Sequence, residues 1–125
     1  MNAGYYISND YYNGINTAFL YWQLASLSTN KEETIFYKMQ AARIARHVVE
    51  ICNNLRAGEN YSKRNDREWI INTLAEALFG LDETVNFNQL MDEREKTQNS
   101  FSDVTFKKQL EELKIIKEKV GQLLK

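Results

Sequence analysis

The chain has no proline in 125 residues, where average usage near 5% would place roughly six. Proline breaks helices by removing an amide donor and clashing with the preceding turn, so its absence favours long uninterrupted helices. One cysteine, Cys52, excludes an internal disulfide, and with a single histidine, His47, the chain cannot build a zinc site of the usual nitrogen and sulfur ligands. A net charge of −1 and a pI near 5.9 supply no global pull toward nucleic acid or an anionic membrane surface. No apolar run approaches the length of about 18 residues needed to cross a bilayer. The first residues, MNAGYYISND, lack the basic start and apolar core of a signal peptide. These absences together predict a cytoplasmic protein in a reducing compartment, without nucleic-acid or membrane partners.

What is present is apolar bulk. Hydrophobic residues make up 43% and aromatics 12%, enough for one packed core in one domain. From Asp10 to about Ser28, Tyr11, Ile15, Ala18, Trp22 and Ala25 recur at steps of three and four, with Tyr12, Phe19 and Leu20 widening the stripe. That spacing predicts a helix covered on more than one side. Asn13-Gly14 would suit a hairpin turn, but a hairpin would leave Ile15, Phe19 and Trp22 on inconsistent faces. The dipeptide therefore belongs one turn inside a helix capped by Asn9 or Asp10, with Gly14 admitting a close neighbour.

Asn30 with Glu33 forms a capping-box pattern, which predicts a second helix from Lys31 to about Arg56. Its apolar face runs through Ile35, Met39, Ala41, Ile44, Ala45, Val48, Ile51, Cys52 and Leu55. Residues 57–64 read as an exposed connection. Asn65 with Glu68 repeats the capping pattern before a third helix ending around Gly80, and a shorter fourth helix covers roughly Glu83 to Glu95. Lys96 to Ser102 reads as a loop in which Ser100 or Ser102 caps a last helix. Phe106, Leu110, Leu113, Ile116, Val120 and Leu123 are its near-heptad seam. The fold class is all-α, with about five helices joined by short connections as antiparallel hairpins.

Catalytic chemistry has little to stand on. Gly14 lacks the companions of a phosphate loop, His47 has no nucleophile at helical spacing, and Cys52 sits on an apolar face as a small hydrophobe. The cations of Lys63-Arg64-Asn65-Asp66-Arg67 are diluted by acids and lack a stacking platform. Glu76 stands out inside Leu74-Ala75-Glu76-Ala77-Leu78, because a buried carboxylate requires a partner. Arg46 or Arg43 on the preceding helix is the expected one. The aromatics Tyr5, Tyr6, Tyr11, Tyr12, Tyr21 and Trp22 crowd the N-terminal part and are mostly expected in the core.

Tyr11-Tyr12-Asn13-Gly14-Ile15-Asn16-Thr17-Ala18 resembles the Y-x-G-I-N-x-A signature in the TRAF-binding region of apoptosis signal-regulating kinases and their bacterial relatives. Ala42-Arg43-Ile44-Ala45-Arg46 with Val48-Val49, and Trp69 with Thr73-Leu74-Ala75-Glu76-Ala77, resemble its later segments in the same order. The resemblance spans about residues 5 to 91. It implies a tetratricopeptide-like right-handed stack of hairpins used for protein–protein contact, with no catalytic residue and no cofactor. Aligned on that pattern, Trp69 takes the large position of a first helix and Tyr12 the equivalent place one unit earlier. Asp10, Asn13, Thr17, Arg67 and Ile70 would face the concave partner-binding surface, and Gly14, Asn16, Arg43, Arg46, Trp69 and Glu76 would be structural. The family's terminal proline is missing, and Asn16 and Thr73 replace small residues. Only about two units fit, where arrays generally need three or more. The last helix is then a cap, or the chain belongs to a longer array, or it oligomerises.

The expectation is therefore a non-enzymatic interaction module binding another protein or a second copy of itself. The alternatives are a structural segment serving a linked effector domain, and a small helical enzyme or ligand-binding bundle using Glu76.

Overall fold

The computed structural model describes residues 10–96 and 100–125. The side chains of Asp10 and Ser100, and residues 1–9 with the expected cap Asn9 and the aromatics Tyr5 and Tyr6, lie outside that description. Five α-helices follow in order: α1, Asp10–Leu27; α2, Lys31–Ala57; α3, Arg67–Gly80; α4, Thr84–Arg94; and α5, Ser100–Leu123. No strand occurs among the described residues, and none of their helices is long and apolar enough to cross a membrane.

α1 and α2 make the most extensive contact in the fold. They approach through small side chains, since Ala18, Ala25, Ala41 and Ala45 are all buried. Gly14 is the tightest point of this region: a Cβ there would lie 2.6 Å from Cγ2 of Val48, a fully buried side chain that is stiff at its one torsion. α2 begins where its capping signal predicts, with the Glu33 amide donating to Asn30 Oδ1 at 2.8 Å. The second signal fails. Asp66, not Asn65, precedes α3 and makes no side-chain cap. Its carboxylate instead accepts from Arg64 Nε and Nη2 at 2.8 and 2.9 Å and from the Tyr11 hydroxyl at 2.8 Å. A single-turn helix over Tyr61–Lys63 organises the connection, so the region between Gly58 and Arg67 is tied both internally and to α1.

α3 is the central element, in contact with all four other helices, and every residue from Ile70 to Leu78 is buried. That corrects one expectation. Ile70 is fully enclosed and cannot belong to a partner-binding surface, because the same all-round coverage that buries Leu74 and Ala77 also encloses it. α1 is covered on more than one side as expected, by α2, α3 and α5, but Tyr12 and Leu20, expected to widen its covered stripe, are exposed. Ile35 and Met39 of α2 also face outward: they lie off the line of Ala41, Ala45, Val48 and Cys52 that meets the core.

α5 starts at Ser100, inside the expected loop, and Ser102 lies buried within the helix rather than capping it. Its seam buries Phe106, Leu113 and Val120 against α1 and, less extensively, α3. Near the far end of α5, Lys117 Nζ donates to the Phe79 carbonyl and to Asp82 Oδ1, both at 2.6 Å. Asp82 there holds a left-handed φ of 59°. The last helix thus returns to the first and closes the set.

Gly14→Ala is expected to lower unfolding stability by about 1–2 kcal/mol, because crowding of Val48 outweighs the roughly 1 kcal/mol gain in helix propensity. In a Val48→Ala background the same change should be neutral or stabilising. Urea denaturation of the four proteins of this cycle reads the coupling.

Candidate functional site

α1, α3 and α5 leave a cleft of about 170 Å3 between them. Tyr12, Ile15 and Asn16 line it from α1; Trp69, Asn72, Thr73 and Glu76 from α3; and Thr105, Phe106 and Gln109 from α5. Steps of one, three and four residues put each set on one side of its helix. Two large aromatics, Tyr12 at 58% and Trp69 at 39% exposure, are open to solvent at this cleft, whereas Glu76 is only 8% exposed.

Glu76 is the only charged residue among those lining the cleft. Its Oε2 accepts from Gln109 Nε2 at 3.5 Å, a long bond. Burial pushes its carboxyl up to about 7, against the smaller opposing effect of the Gln109 bond. Neither expected arginine is its partner. Arg43 is exposed and donates from Nε and Nη2 to Gln40 Oε1, Arg46 is exposed as well, and α2 contributes no residue to the cleft. With both arginines on the outer side of α2, the donor to Glu76 is an amide from α5.

Behind the cleft lies a fully buried guanidinium. Arg94, on the last turn of α4, donates from Nε to Asn72 Oδ1 at 2.7 Å and from Nη1 to Asp103 Oδ1 at 2.8 Å. Its guanidinium carbon sits 4.0 Å from the centroid of the Phe106 ring, close enough for a cation–π contact. Asp103 also meets Lys107 Nζ at 3.1 Å. The hydrogen bonds from Arg94 and Lys107 hold its carboxyl below the usual carboxylate range. Ser102 donates to Glu68 Oε2 at 3.3 Å, a second tie between α5 and α3. Asn72 and Phe106 therefore belong both to the cleft wall and to the Arg94 anchor.

The remaining sequence-marked residues fall elsewhere. Asn13 and Thr17 are exposed on α1, with the Thr17 hydroxyl donating to the Asn13 carbonyl at 2.9 Å. Arg67 is exposed and donates from Nε to the Arg64 carbonyl at 3.0 Å. None of the three lines the cleft. Asn16, Trp69 and Glu76, assigned structural places from the sequence, are the ones brought together there. Cys52 is buried, and burial pushes its thiol up to about 12. His47 lies on the exposed face of α2 near Glu50, 4.0 Å away. Among the described residues, no group of three or more His, Cys, Asp or Glu side chains could hold a metal ion.

Two stability measurements test this arrangement. Folded Glu76 keeps its proton to higher pH than an unfolded glutamate, so its contribution to stability is complete below about pH 4.5 and is lost as the pH rises through about 7. Glu76→Gln, neutral throughout, is expected to stabilise the fold by up to about 3 kcal/mol near pH 8 and by little near pH 4.5. An equal effect at both pH values, read by urea denaturation, would contradict the burial account. Arg94→Ala is expected to cost about 3 kcal/mol, since it empties a fully buried site and leaves the Asn72 side-chain oxygen without its donor. Asp103→Asn, which keeps an oxygen acceptor but removes the negative charge facing a fully buried guanidinium, should cost about 2 kcal/mol.

Comparison of the chain with protein-family models, with curated proteins and with solved structures gives no match.

Proposed function

We propose that the chain is a non-enzymatic interaction module of the cytoplasm that holds a segment of a protein partner in the cleft between α1, α3 and α5. The observation that carries this reading is the exposure of Tyr12 and Trp69 beside a partly polar recess. Large aromatics left in water are costly unless covered, and they dominate the energetics of protein interfaces. The size of the recess points the same way. At about 170 Å3, it falls below the roughly 300–1,000 Å3 of sites for cofactors and drug-sized ligands, and it suits one inserted side chain. The resemblance to the TRAF-binding region supports the reading, because Tyr12 lies in its first segment and Trp69 opens its third. On that resemblance, α1 with α2 and α3 with α4 are two tetratricopeptide-like units, and α5 is their cap.

A second reading is favoured by a separate observation. Leu20, Leu24 and Leu27 are exposed along α1 at steps of four and three, the spacing of a helix-pairing seam. A homodimer through this row is compatible with the partner cleft, since none of the three leucines lines it.

Selection of short peptides from a random library against the folded chain tests the first reading. Peptides should be recovered that bind in the micromolar range and lose at least about tenfold in affinity to the Tyr12→Ala, Trp69→Ala double variant, with its thermal stability unchanged. Peptides indifferent to both substitutions would overturn the assignment. Light scattering after gel filtration tests the second: a dimer that dissociates on Leu24→Glu supports it, and a monomer at all concentrations removes it.

A further inference from the structure

A recess that admits one side chain has selectivity written in its lining. Its deepest ionisable group is the Glu76 carboxyl, 8% exposed. Among the described residues no cation lines the cleft: Tyr12 is the other titratable group there, and Thr105, Phe106 and Gln109 face it from α5 without charge. The cation on the far side of two lining residues, Arg94, is engaged by Asn72, Asp103 and the Phe106 ring. Three aromatic residues, Tyr12, Trp69 and Phe106, contribute to the walls. Aromatic faces attract cations through their quadrupole, and more strongly where water is displaced.

We infer that the cleft accepts a protonated primary amine, the ε-ammonium group of a lysine on the partner, with its aliphatic stem against Tyr12 and Trp69 and its charge on Glu76. The observations favour lysine over arginine. A guanidinium fork spans both oxygens of a carboxylate in one plane, and the Gln109 amide beside Glu76 Oε2 crowds one arm of that fork. The compact ammonium needs one oxygen and can donate its other protons to neutral side-chain oxygens such as those of Thr73 and Thr105. A lysine stem also matches an aromatic rim, because its methylenes pack on rings while the charged end goes further in.

Charge pairing of this kind is linked to pH. A cation beside Glu76 favours its ionised form, so binding expels a proton when the carboxyl is protonated. Affinity for the amine therefore rises with pH through about 7 and levels off above it. This inference rests on the cleft being the partner site, and the measurements below separate the two.

The test is an NMR titration of the isotope-labelled chain at constant ionic strength with n-butylammonium chloride and with n-butanol, its neutral counterpart. Short capped peptides containing one lysine, or norleucine in its place, form the second arm. Near pH 8, butylammonium and the lysine peptide should shift the Trp69 indole and Gln109 amide signals at least about tenfold more tightly than their neutral counterparts. Glu76→Gln should abolish that preference, and so should titration near pH 5.5. If the neutral compounds occupy the cleft equally well, the ammonium assignment is overturned while the interaction site stands. Binding of butylammonium without the lysine peptide would overturn the assignment to a partner's lysine in favour of a free amine. If no compound perturbs the cleft signals, both the inference and the partner site fall.

Discussion

The Arg94 guanidinium is the constraint around which the second half of the chain is arranged. A cation with no exposure is tolerated only when hydrogen bonds and an opposite charge offset its lost hydration. Here the cation and its matching groups together join three helices: α4 supplies the cation, α3 supplies Asn72, and α5 supplies Asp103 and the Phe106 ring. An apolar contact would permit sliding by a turn with modest loss, whereas these two hydrogen bonds and the ring contact form together in one register. Because Asn72 and Phe106 also face the cleft, the recess inherits its shape from an ion that does not line it.

The first half is held by different physics. Gly14 and four buried alanines let α1 and α2 lie close, so their contact depends on shape. Tyr11 then reaches from α1 to Asp66, which Arg64 already holds. Burial and the neighbouring carboxylate push the Tyr11 phenol upward, keeping it a neutral donor. α3 joins these two regimes: its Ile70, Leu74 and Ala77 meet the packed half, and its Asn72, Glu76 and Trp69 meet the polar cleft.

Most of the helical framework was legible in the sequence, because periodicity and local capping act over a few residues. The Asn30 cap, the extent of α2, the seam of α5 and the tight approach at Gly14 are all signals of that range. What failed required knowledge of which helices surround which. The resemblance puts Ile70 on a concave surface, and only the coverage of α3 on every side shows that it has no outer face. Glu76 was visibly anomalous, yet its partner came from Gln109, 33 positions away, and not from the adjacent helix. Arg94 left no signal at all. It sits in Asp92-Glu93-Arg94-Glu95-Lys96, a run that looks like a solvated helix end, and its burial follows from the return of α5. Tyr12 and Trp69 could be marked as large residues, but their exposure beside a shared recess is a property of three helices together.

The central position of α3 carries a consequence for how the molecule opens. Residues 70–78 are wrapped by elements drawn from both ends of the chain, so their amides become accessible to solvent when those elements separate, not when any one of them frays. Slow amide exchange should therefore concentrate in a helix of 14 residues rather than in the longer α2 or α5, each of which leaves a face to water. Length, the usual guide to helical persistence, would choose the wrong element here.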